Sequence, residues 1–307
     1  MKQLCEVLGI SKQALYKRKQ KEFFTEQQDS VIINLVNQQR RIMPRIGTRK
    51  LYHMLKPQFD NLTIKIGRDT FFHVLRKNGM LVKRRKSFHR TTNSNHYFTK
   101  HPNRIKGIPI TKPEQVWVSD ITYIKCVEGH YFLSLVTDLY SKRIMGYNLS
   151  DNMKAENAID ALKMAIRNRS FPDRELIHHS DRGFQYCCHD YINTSVKHKI
   201  KTSMTQSYDP YENAVAERVN GILKDEFSIG DGFITFSQAQ REIKYAIETY
   251  NSKRPHLSCN FLTPISAHKF GNYKLKTWSR LSTNKHILTK EKRSKKENLI
   301  TNNVTFN

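Results

Sequence analysis

The amino-acid sequence predicts an α/β protein in which all-α units precede a core with a mixed β-sheet. Two observations support this prediction. Apolar residues recur at helical spacing through residues 1–82. From residue 115 onward, alternating runs rich in β-branched and aromatic residues are separated by helical stretches. A chain of 307 residues is long enough for two or three domains of ordinary size.

The first helical unit is predicted over residues 1–24. Apolar residues at helical spacing run from Leu4 to Leu8, and Gly9 interrupts them. The helical pattern resumes after Ser11, a residue type that favours the N-cap position. Two short helices joined by a tight turn indicate a helix-turn-helix.

A second helical DNA-binding unit is predicted over residues 25–82. Its three helices are expected near residues 30–40, 48–55 and 68–78. Gly79 stands where a glycine commonly follows a helix end. The last helix exposes Arg68, Arg76 and Lys77, so it is suited to a DNA groove, with contacts to bases and phosphates. An ordinary three-helix packing unit with a basic surface is the alternative interpretation.

The core begins with three strands joined by short turns, which must form an antiparallel meander. These strands are predicted over residues 115–125, 131–138 and 143–150. The elements that follow are a helix over residues 155–167, a strand over 175–178, a helix over 186–196, a strand over 200–205, and helices over 213–227 and 237–250. This order of elements is that of the ribonuclease H-like fold.

Three carboxylates stand in distinct positions of the predicted core, at Asp120, Asp181 and Glu217. In the ribonuclease H-like topology the first strand runs beside the strand that follows the first helix, so Asp120 and Asp181 should meet at the strand ends. Asn213, Glu217, Asn220 and Lys224 share one face of a helix whose opposite face is apolar. This set indicates a two-metal phosphoryl-transfer site, although a solvated helix face would show the same segregation.

Neighbouring polar and aromatic residues have simpler explanations. Asp138 ends a predicted strand just before a turn, where Asp is favoured. Gly183 is expected to permit a tight turn after Asp181. His178 and His179 either contact DNA or fill a strand end, and Trp117 is expected in the core.

The charge is distributed unevenly along the chain. Residues 1–105 carry 23 Lys and Arg against 6 Asp and Glu, residues 106–268 carry 20 against 19, and residues 269–307 carry 10 against 2. A nearly neutral middle flanked by two basic ends is typical of a protein that binds a polyanion, and nucleic acid is the obvious one. We therefore predict a basic linker over residues 83–109 and a basic tail over residues 269–307, although a single basic run is as often a solvated surface.

Several classes of protein are excluded by composition. No apolar stretch is long enough for a membrane span, and Glu6 follows Met1 too closely for a secretory signal. The five cysteines include no Cys-x-x-Cys pair, so reduced thiols are expected and zinc ligands are not. We expect a cytoplasmic protein associated with the nucleoid.

Four stretches carry a resemblance to a known family. They are Trp117-Val118-Ser119-Asp120-Ile121-Thr122-Tyr123-Ile124, His178-His179-Ser180-Asp181-Arg182-Gly183-x-Gln185-Tyr186, Asn213-Ala214-x-Ala216-Glu217 and Tyr250-Asn251-x-x-Arg254-Pro255-His256. Through them the chain resembles bacterial insertion-sequence transposases with a retroviral-integrase-type catalytic core. More narrowly, it is similar to the second-reading-frame (OrfB-type) product of elements that move by a copy-out, paste-in route. The likeness covers nearly the whole chain.

The resemblance implies a DDE transposase whose integrase catalytic core spans residues 110–268. It implies Asp120, Asp181 and Glu217 as catalytic residues that bind two Mg²⁺ ions, for which Mn²⁺ can substitute. The implied substrate is double-stranded DNA, both element ends and target, bound by a homodimer or higher oligomer. An upstream-frame (OrfA-type) fusion partner is also suggested. The residues expected to contact DNA are Lys224, Asn213, Arg68, Arg76, Lys77, Arg45, Arg49, Lys83, Arg84, Arg85 and Lys86.

Two other functional classes are alternatives to a transposase for this sequence. One is a plain nuclease of the ribonuclease H-like type, and the other is a DNA-binding regulator with an inert core. A nuclease would not need two helical DNA-reading units, and a regulator would not need three intact carboxylates. The sequence therefore favours the transposase.

Overall fold

The computed structural model describes Gly9, residues 11–83, 99–206 and 213–271, and Tyr273. The helix predicted within residues 1–8 lies outside these residues, as do Arg84, Arg85 and Lys86. The predicted linker over residues 83–109 and the predicted tail over residues 269–307 lie partly outside them. Within the described residues, no helix combines the length and apolar character that crossing a membrane requires.

Three helices form the amino-terminal part of the described chain. They are α1 (Lys12–Ile42), α2 (Thr48–Asn61) and α3 (Arg68–Lys77). Ser11 caps α1 as predicted, because its Oγ accepts a hydrogen bond from the Ala14 amide at 3.1 Å. Gly79 follows the end of α3 with a φ of +66°, the left-handed conformation that explains a glycine there.

Helix α1 is longer than predicted. It runs unbroken across residues 24 and 25, where we placed a domain boundary, and the helix predicted over residues 30–40 is its carboxyl-terminal part. The reason lies in composition: α1 contains no Gly or Pro, and good helix formers such as Lys, Gln and Glu are frequent in its first half. Only Leu15 is buried in that half, so helix propensity rather than packing sustains it.

One apolar cluster spans the helical part and the core. Ile32 of α1, Leu51 of α2 and Phe71 of α3 are fully buried in it. The same cluster includes Leu133 and Ile222 of the core. The helices are therefore packed against the core rather than tethered to it.

The core contains a five-stranded sheet with the strand order β3-β2-β1-β4-β5. The strands are β1 (Val116–Cys126), β2 (Gly129–Asp138), β3 (Ile144–Ser150), β4 (Leu176–Ser180) and β5 (Ile200–Met204). The β1–β2 and β2–β3 pairs are antiparallel, whereas the β1–β4 and β4–β5 pairs are parallel. This mixed sheet, with its initial meander, is the predicted ribonuclease H-like arrangement.

Helices cover both faces of the sheet. Those of the described core are α4 (Ala155–Arg167), α5 (Phe184–Cys187), α6 (His189–Lys197), α7 (Ala214–Glu226), α8 (Phe236–Lys253) and α9 (Pro264–Phe270). The single helix predicted over residues 186–196 is divided into α5 and α6, because Cys188 between them is extended. The adjacent β2 residues Leu135 and Val136 belong to different apolar clusters, one shared with α7 and α8 and the other with α4.

Helix α4 lies directly on the sheet because Gly146 of β3 has no side chain. A Cβ atom at Gly146 would stand only 2.1 Å from the backbone oxygen of Ala161 in α4. This close approach, and not an unusual backbone angle, requires the glycine. It fixes one layer of the core, and the candidate site lies where β1, β4 and α7 meet.

Candidate active site

Asp120 and Asp181 occupy matching positions on two neighbouring parallel strands. The pairing of β1 with β4 joins Val116 to Ile177 and Val118 to His179. The same register, continued by two residues, places Asp120 beside Asp181, immediately after β4 ends. Asp120 itself lies inside β1, which continues to Cys126 alongside β2. The expectation that both carboxylates lie at strand ends is therefore wrong for Asp120, because only β4 ends at the site.

Two asparagines attach α7 to β1 at this point. The Asn213 side-chain amide donates to the Ser119 backbone oxygen at 3.0 Å, and the Asn220 amide donates to Asp120 Oδ2 at 2.8 Å. Glu217 lies between these residues on the same helical face. The two bonds therefore set both the position and the rotation of the helix that carries Glu217.

The three carboxylates form a region of concentrated negative charge. Burial raises the pKa of Asp120 to about 7, with further increases from the charges of Asp181 and Glu217 and an opposing effect from the Asn220 hydrogen bond. Burial lowers the pKa of Lys224, and the negative charge of Asp120 opposes part of that lowering. Lys224 is therefore a cation near Asp120. Asp120 is thus held partly protonated near neutral pH unless a cation approaches.

The three carboxylates are spaced too widely to bind one metal ion together without side-chain movement. Among the described residues, no three Asp, Glu, His or Cys side chains are close enough together to hold a metal ion as they stand. Asp120 Oδ2 is engaged by Asn220. The three side chains are nevertheless close enough to influence each other's charge. All of their donor atoms are carboxylate oxygens, the ligand type that hard divalent cations prefer.

Gly183 is required by close approach rather than by its backbone conformation. Its φ of −62° is open to any residue, so the expected reason, a tight turn, does not apply. Its amide donates to Asp181 Oδ1 at 3.0 Å, and a Cβ atom at this position would stand 3.0 Å from the same oxygen. The glycine leaves room for the Asp181 carboxylate.

The two histidines before Asp181 belong to the core. His178 and His179 are fully buried. His178 Nε2 lies 2.7 Å from Ser119 Oγ and 3.2 Å from the Tyr191 hydroxyl, and burial lowers the pKa of His178 to about 3. Of the two proposed roles, filling the strand end agrees with this environment. Trp117 is fully buried, as predicted.

Asp138 serves a turn, as its position predicts. Its Oδ1 accepts from the Ser141 amide at 2.7 Å and from the Ser141 hydroxyl at 2.6 Å, and its Oδ2 accepts from the Glu114 amide at 2.7 Å. The bonds to Ser141 stabilise the turn after β2, and the bond to Glu114 stabilises the loop before β1. Asp138 is thereby committed to a structural role.

The residues predicted to contact DNA are found in different environments. Arg68, Arg76, Lys77, Arg49 and Lys83 are exposed. Arg45 is partly buried, and its Nη2 donates to the Lys83 backbone oxygen at 2.8 Å. Asn213 is only 6% exposed and its amide is bonded to β1, which argues against the predicted DNA contact.

Sequence reasoning placed Asn220 on the Glu217 face without a role, and it missed the pair formed by Glu226 and Arg254. Asn220 shares the Glu217 face, three residues further along α7, and that spacing was a signal for its bond to Asp120. Glu226 and Arg254 form a buried ion pair at 2.7 Å that no spacing in the sequence indicates, since 28 residues separate them. The motif Tyr250-Asn251-x-x-Arg254 contributed to the family resemblance, but it predicted no contact for Arg254.

The chain matches known protein families and is similar to proteins of bacterial insertion sequences. The family model described as the integrase core domain matches residues 110–210, and a second model with the same description matches residues 198–264. The chain is 34% identical to the insertion element IS600 uncharacterized 31 kDa protein of Shigella sonnei, over 86% of this chain and 96% of that protein. It is 31% identical to transposase InsF for insertion sequence IS3A of Escherichia coli (strain K12), over 86% of this chain and 92% of that protein.

Solved structures of integrases are also similar. The HTLV-2 integrase catalytic core domain in complex with magnesium, in its trimeric form, is 20% identical, covers 51% of this chain and 97% of its own, and gives a TM-score of 0.41. The simian T-cell lymphotropic virus intasome in complex with the PP2A regulatory subunit B56 gamma is 19% identical, covers 76% and 75%, and gives a TM-score of 0.46. The strand order and the family models, not these scores, define the fold.

The mixed sheet and the integrase core models define an integrase-type polynucleotidyl transferase. Two relatives above 30% identity, each matched over nearly its whole length, narrow that class. The chain belongs to the transposases of IS3-type insertion sequences, and it is a DDE transposase/integrase that acts in DNA transposition.

Proposed function

We propose that this transposase binds the terminal inverted repeats of its own insertion sequence and catalyses Mg²⁺-dependent strand cleavage and strand transfer. One observation carries the proposal. Asp120, Asp181 and Glu217 come from distant parts of the chain, yet they lie close enough that the charges of Asp181 and Glu217 add to burial, the main cause, in raising the pKa of Asp120 to about 7. A fold that holds like charges together at this cost is suited to binding cations.

The donor set fits Mg²⁺, since the three side chains offer oxygen ligands alone. Asp120, Asp181 and Glu217 would hold the two ions, and Mn²⁺ would accept the same ligands. When bound, the ions supply activation of the attacking oxygen and stabilisation of the leaving 3′ oxygen. Two of these carboxylates already have supporting partners, in the Asn220 amide at Asp120 and the Gly183 amide at Asp181.

The proposed reaction has two steps. Water attacks the phosphodiester at the element's end, the bond from phosphorus to the 3′ oxygen breaks, and a 3′-hydroxyl is released. This hydroxyl then attacks the phosphorus of a second phosphodiester in line, and a new phosphodiester forms as that phosphorus releases its own 3′ oxygen, so no covalent enzyme intermediate is needed. Attack on the same strand near the other end would give a circle that later inserts into target DNA, the copy-out, paste-in route. Lys224 would hold a DNA phosphate beside the carboxylates as a point charge.

The helical part would supply recognition of the ends. Exposed Arg68 lies in the first turn of α3 and exposed Arg76 and Lys77 lie in its last turn, so the helix offers cations for contact with a DNA groove. We propose that the helical units up to residue 82 read the terminal repeats, that residues 110–268 perform the chemistry, and that the basic linker and tail contribute phosphate contacts. The presence of two ends to be joined favours at least a dimer on DNA. The complex would work on the nucleoid, either alone or with an upstream-frame partner.

The decisive experiment is strand cleavage and joining on labelled DNA that carries both ends of the element. The purified chain is assayed with Mg²⁺ and with EDTA, beside Asp181→Asn. Asp173→Asn, which changes an exposed carboxylate in the loop before β4, is the matched control. We expect metal-dependent joining in the wild type and in Asp173→Asn, and none in Asp181→Asn.

Other outcomes would contradict parts of the proposal. Cleavage without joining would indicate a nuclease, and tight binding without cutting would indicate a regulator or a required upstream-frame partner. Joining that survives Asp181→Asn would refute the assignment of the carboxylates. Cleaved and joined products differ in length and are distinguished on one denaturing gel, and binding without cutting is detected by a mobility shift on a native gel.

A further inference from the structure

Glu226, the last residue of α7, receives hydrogen bonds from three residues of two other parts of the chain. Its Oε2 accepts from Arg254 Nε at 2.7 Å, and its Oε1 accepts from Arg254 Nη2 and from Lys50 Nζ, each at 2.8 Å. The Glu226 backbone oxygen accepts from the Arg45 amide at 3.0 Å. Both oxygens of the carboxylate and the carbonyl of one helix end are therefore engaged.

Local helix physics does not explain a glutamate at this position. The carboxyl-terminal end of a helix carries partial negative charge, which disfavours an acidic side chain in the last turn. Glu226 is nevertheless 9% exposed and Arg254 only 1% exposed. A buried carboxylate requires paired cations, and the two cations hold the pKa of Glu226 below its ordinary value, against the effect of burial. The reason for Glu226 is therefore tertiary.

The Arg254 side of the network is fixed to the sheet by the residues that precede it. The Tyr250 hydroxyl donates to the Lys142 backbone oxygen at 2.9 Å. The Asn251 side chain bonds both the amide and the carbonyl of Ile144 at 2.9 Å, at the start of β3. Arginine can only donate, so His256 Nε2 accepts from Arg254 Nη1 at 2.8 Å. The last turn of α8 and the segment after it thus hold Arg254 in place at the end of α7.

The Lys50 side of the network belongs to the helical part. Lys50 lies in the first turn of α2, and Arg45 lies in the turn between α1 and α2. Helices α2 and α3 share one buried apolar cluster, so α3 with its exposed cations is rigidly connected to Lys50. Glu226 is therefore the residue at which the helical part and the active-site helix meet through charge.

The other end of α7 carries Glu217. Nine residues separate Glu217 from Glu226, which is about 13.5 Å along a continuous helix. A helix of this length transmits an axial shift or a rotation at one end to the other, because its backbone hydrogen bonds resist stretching. The position of Glu226 therefore influences the position of Glu217.

We propose that Glu226 couples DNA recognition to catalysis: Lys50 and Arg254 hold the end of α7 so that DNA bound by the helical part fixes Glu217 for chemistry. The inference rests on the proposed function of the helical part and the carboxylates. Lys50, Glu226 and Arg254 are positioning residues, and none of them touches the reacting atoms. Glu217 also depends on Asn213 and Asn220, which keep α7 on β1 when the coupling is lost.

The test removes the link between the parts and leaves the core intact. Lys50→Met in the full chain keeps most of the side-chain packing, removes the cation and preserves the Arg254 pair. Lys56→Met is the matched control, because Lys56 lies on the same helix and pairs with Asp60 of that helix at the exposed surface. Three quantities are measured: binding to DNA carrying the element's end, cleavage at that end, and Mn²⁺-dependent nicking of plasmid DNA that lacks the end.

We expect Lys50→Met to reduce end cleavage by about tenfold or more, since small misplacements of catalytic groups cost this much. Binding to the end and nonspecific nicking should stay at the wild-type level, and Lys56→Met should match the wild type in all three. An equal loss of nicking and cleavage would overturn the coupling in favour of a role in folding. Unchanged end cleavage would overturn it outright.

Hydrogen exchange provides a readout that does not depend on cutting. End DNA should slow amide exchange in α7 of the wild type and of Lys56→Met, but not of Lys50→Met. The same slowing in Lys50→Met would refute the coupling. A chain that never cuts would refute the proposed function and would still give this result, so the two failures are distinguishable.

Discussion

Asn220 and Asp120 are joined by a hydrogen bond of 2.8 Å between the amide of one and Oδ2 of the other. Asn220 stands three residues after Glu217 on α7, and Asp120 lies on β1, so this bond connects the elements that carry two of the three carboxylates. It also opposes the rise in the Asp120 pKa that burial and the other carboxylates produce. The residue supports the site without being a candidate ligand.

Replacement of Asn220 should weaken metal binding. Asn220→Ala removes the donor that favours ionised Asp120, and outer partners of metal ligands typically change metal affinity by about 10–100-fold. We expect the Mg²⁺ concentration for half-maximal end cleavage to rise by about that factor. Gln240→Ala, which removes an exposed amide from α8, should leave it unchanged. An unaltered Mg²⁺ requirement in Asn220→Ala would contradict the supporting role.

The raised pKa of Asp120 predicts how the metal-free protein responds to pH. Its folded pKa of about 7 exceeds the ordinary value of 3.8, so between these values the folded state binds more protons than the unfolded state. Stability from this group therefore falls as pH rises through that window, and Mg²⁺ should restore it. Thermal unfolding in EDTA from pH 5 to pH 8 would measure the fall.

Asp120→Asn should remove this pH dependence. At pH 8 without metal, we expect it to increase the free energy of unfolding by about 1–3 kcal/mol, because the cost of burying a charge and the repulsion from Asp181 and Glu217 are both removed. It should also abolish stabilisation by Mg²⁺. Asp160→Asn, at an exposed position of α4, should retain the wild-type profile. A mutant profile identical to that of the wild type would show that Asp120 is not the responsible group.

The accessible cations of α3 should contribute to the salt dependence of DNA binding. Each phosphate contact releases counterions, so Arg76→Ala combined with Lys77→Ala should reduce the slope of log K against log salt by about 2. Lys163→Ala combined with Arg167→Ala changes two exposed cations on α4 of the core and should leave the slope unchanged. Equal effects of both pairs would mean that α3 has no special part in binding.

The sequence predicted the elements of the core because their signals are local. The amphipathic pattern over residues 155–167 gave the bounds of α4, and the meander followed from short turns between three apolar runs. The order of these elements was sufficient to place Asp120 beside Asp181. A pattern that repeats within one element is visible before any tertiary contact is known.

What the sequence could not predict depends on contacts between distant residues. The ion pair of Glu226 and Arg254 places an acidic residue at the end of a helix, against the charge preference of that position. Asn213 lies on the same helical face as Glu217 but is buried against Ser119. The division between residues 24 and 25 failed because no local breaker stands in α1. The need for Gly183 was foreseen, but its reason, the room for a carboxylate, required the fold.

Gly183 should be sensitive to the smallest possible enlargement. Gly183→Ala is compatible with the backbone at φ −62°, but its Cβ would stand 3.0 Å from Asp181 Oδ1 and 3.2 Å from Gln185 Oε1. The methyl group must therefore displace the Asp181 carboxylate by a few tenths of an ångström, and because a misplacement of about 1 Å can cost roughly 10²-fold in rate, this smaller shift should cost about tenfold. We expect end cleavage to fall by about that factor while DNA binding is retained.

The matched control for this substitution is Gly221→Ala. A Cβ at Gly221 meets no atom within 4 Å, and the residue lies in the interior of α7, where alanine is preferred to glycine by about 0.5–1 kcal/mol. Gly221→Ala should therefore cut at the wild-type rate and unfold at a higher temperature. If Gly183→Ala were equally active, the position of the Asp181 carboxylate would not matter for cleavage, and its role as a metal ligand would be refuted.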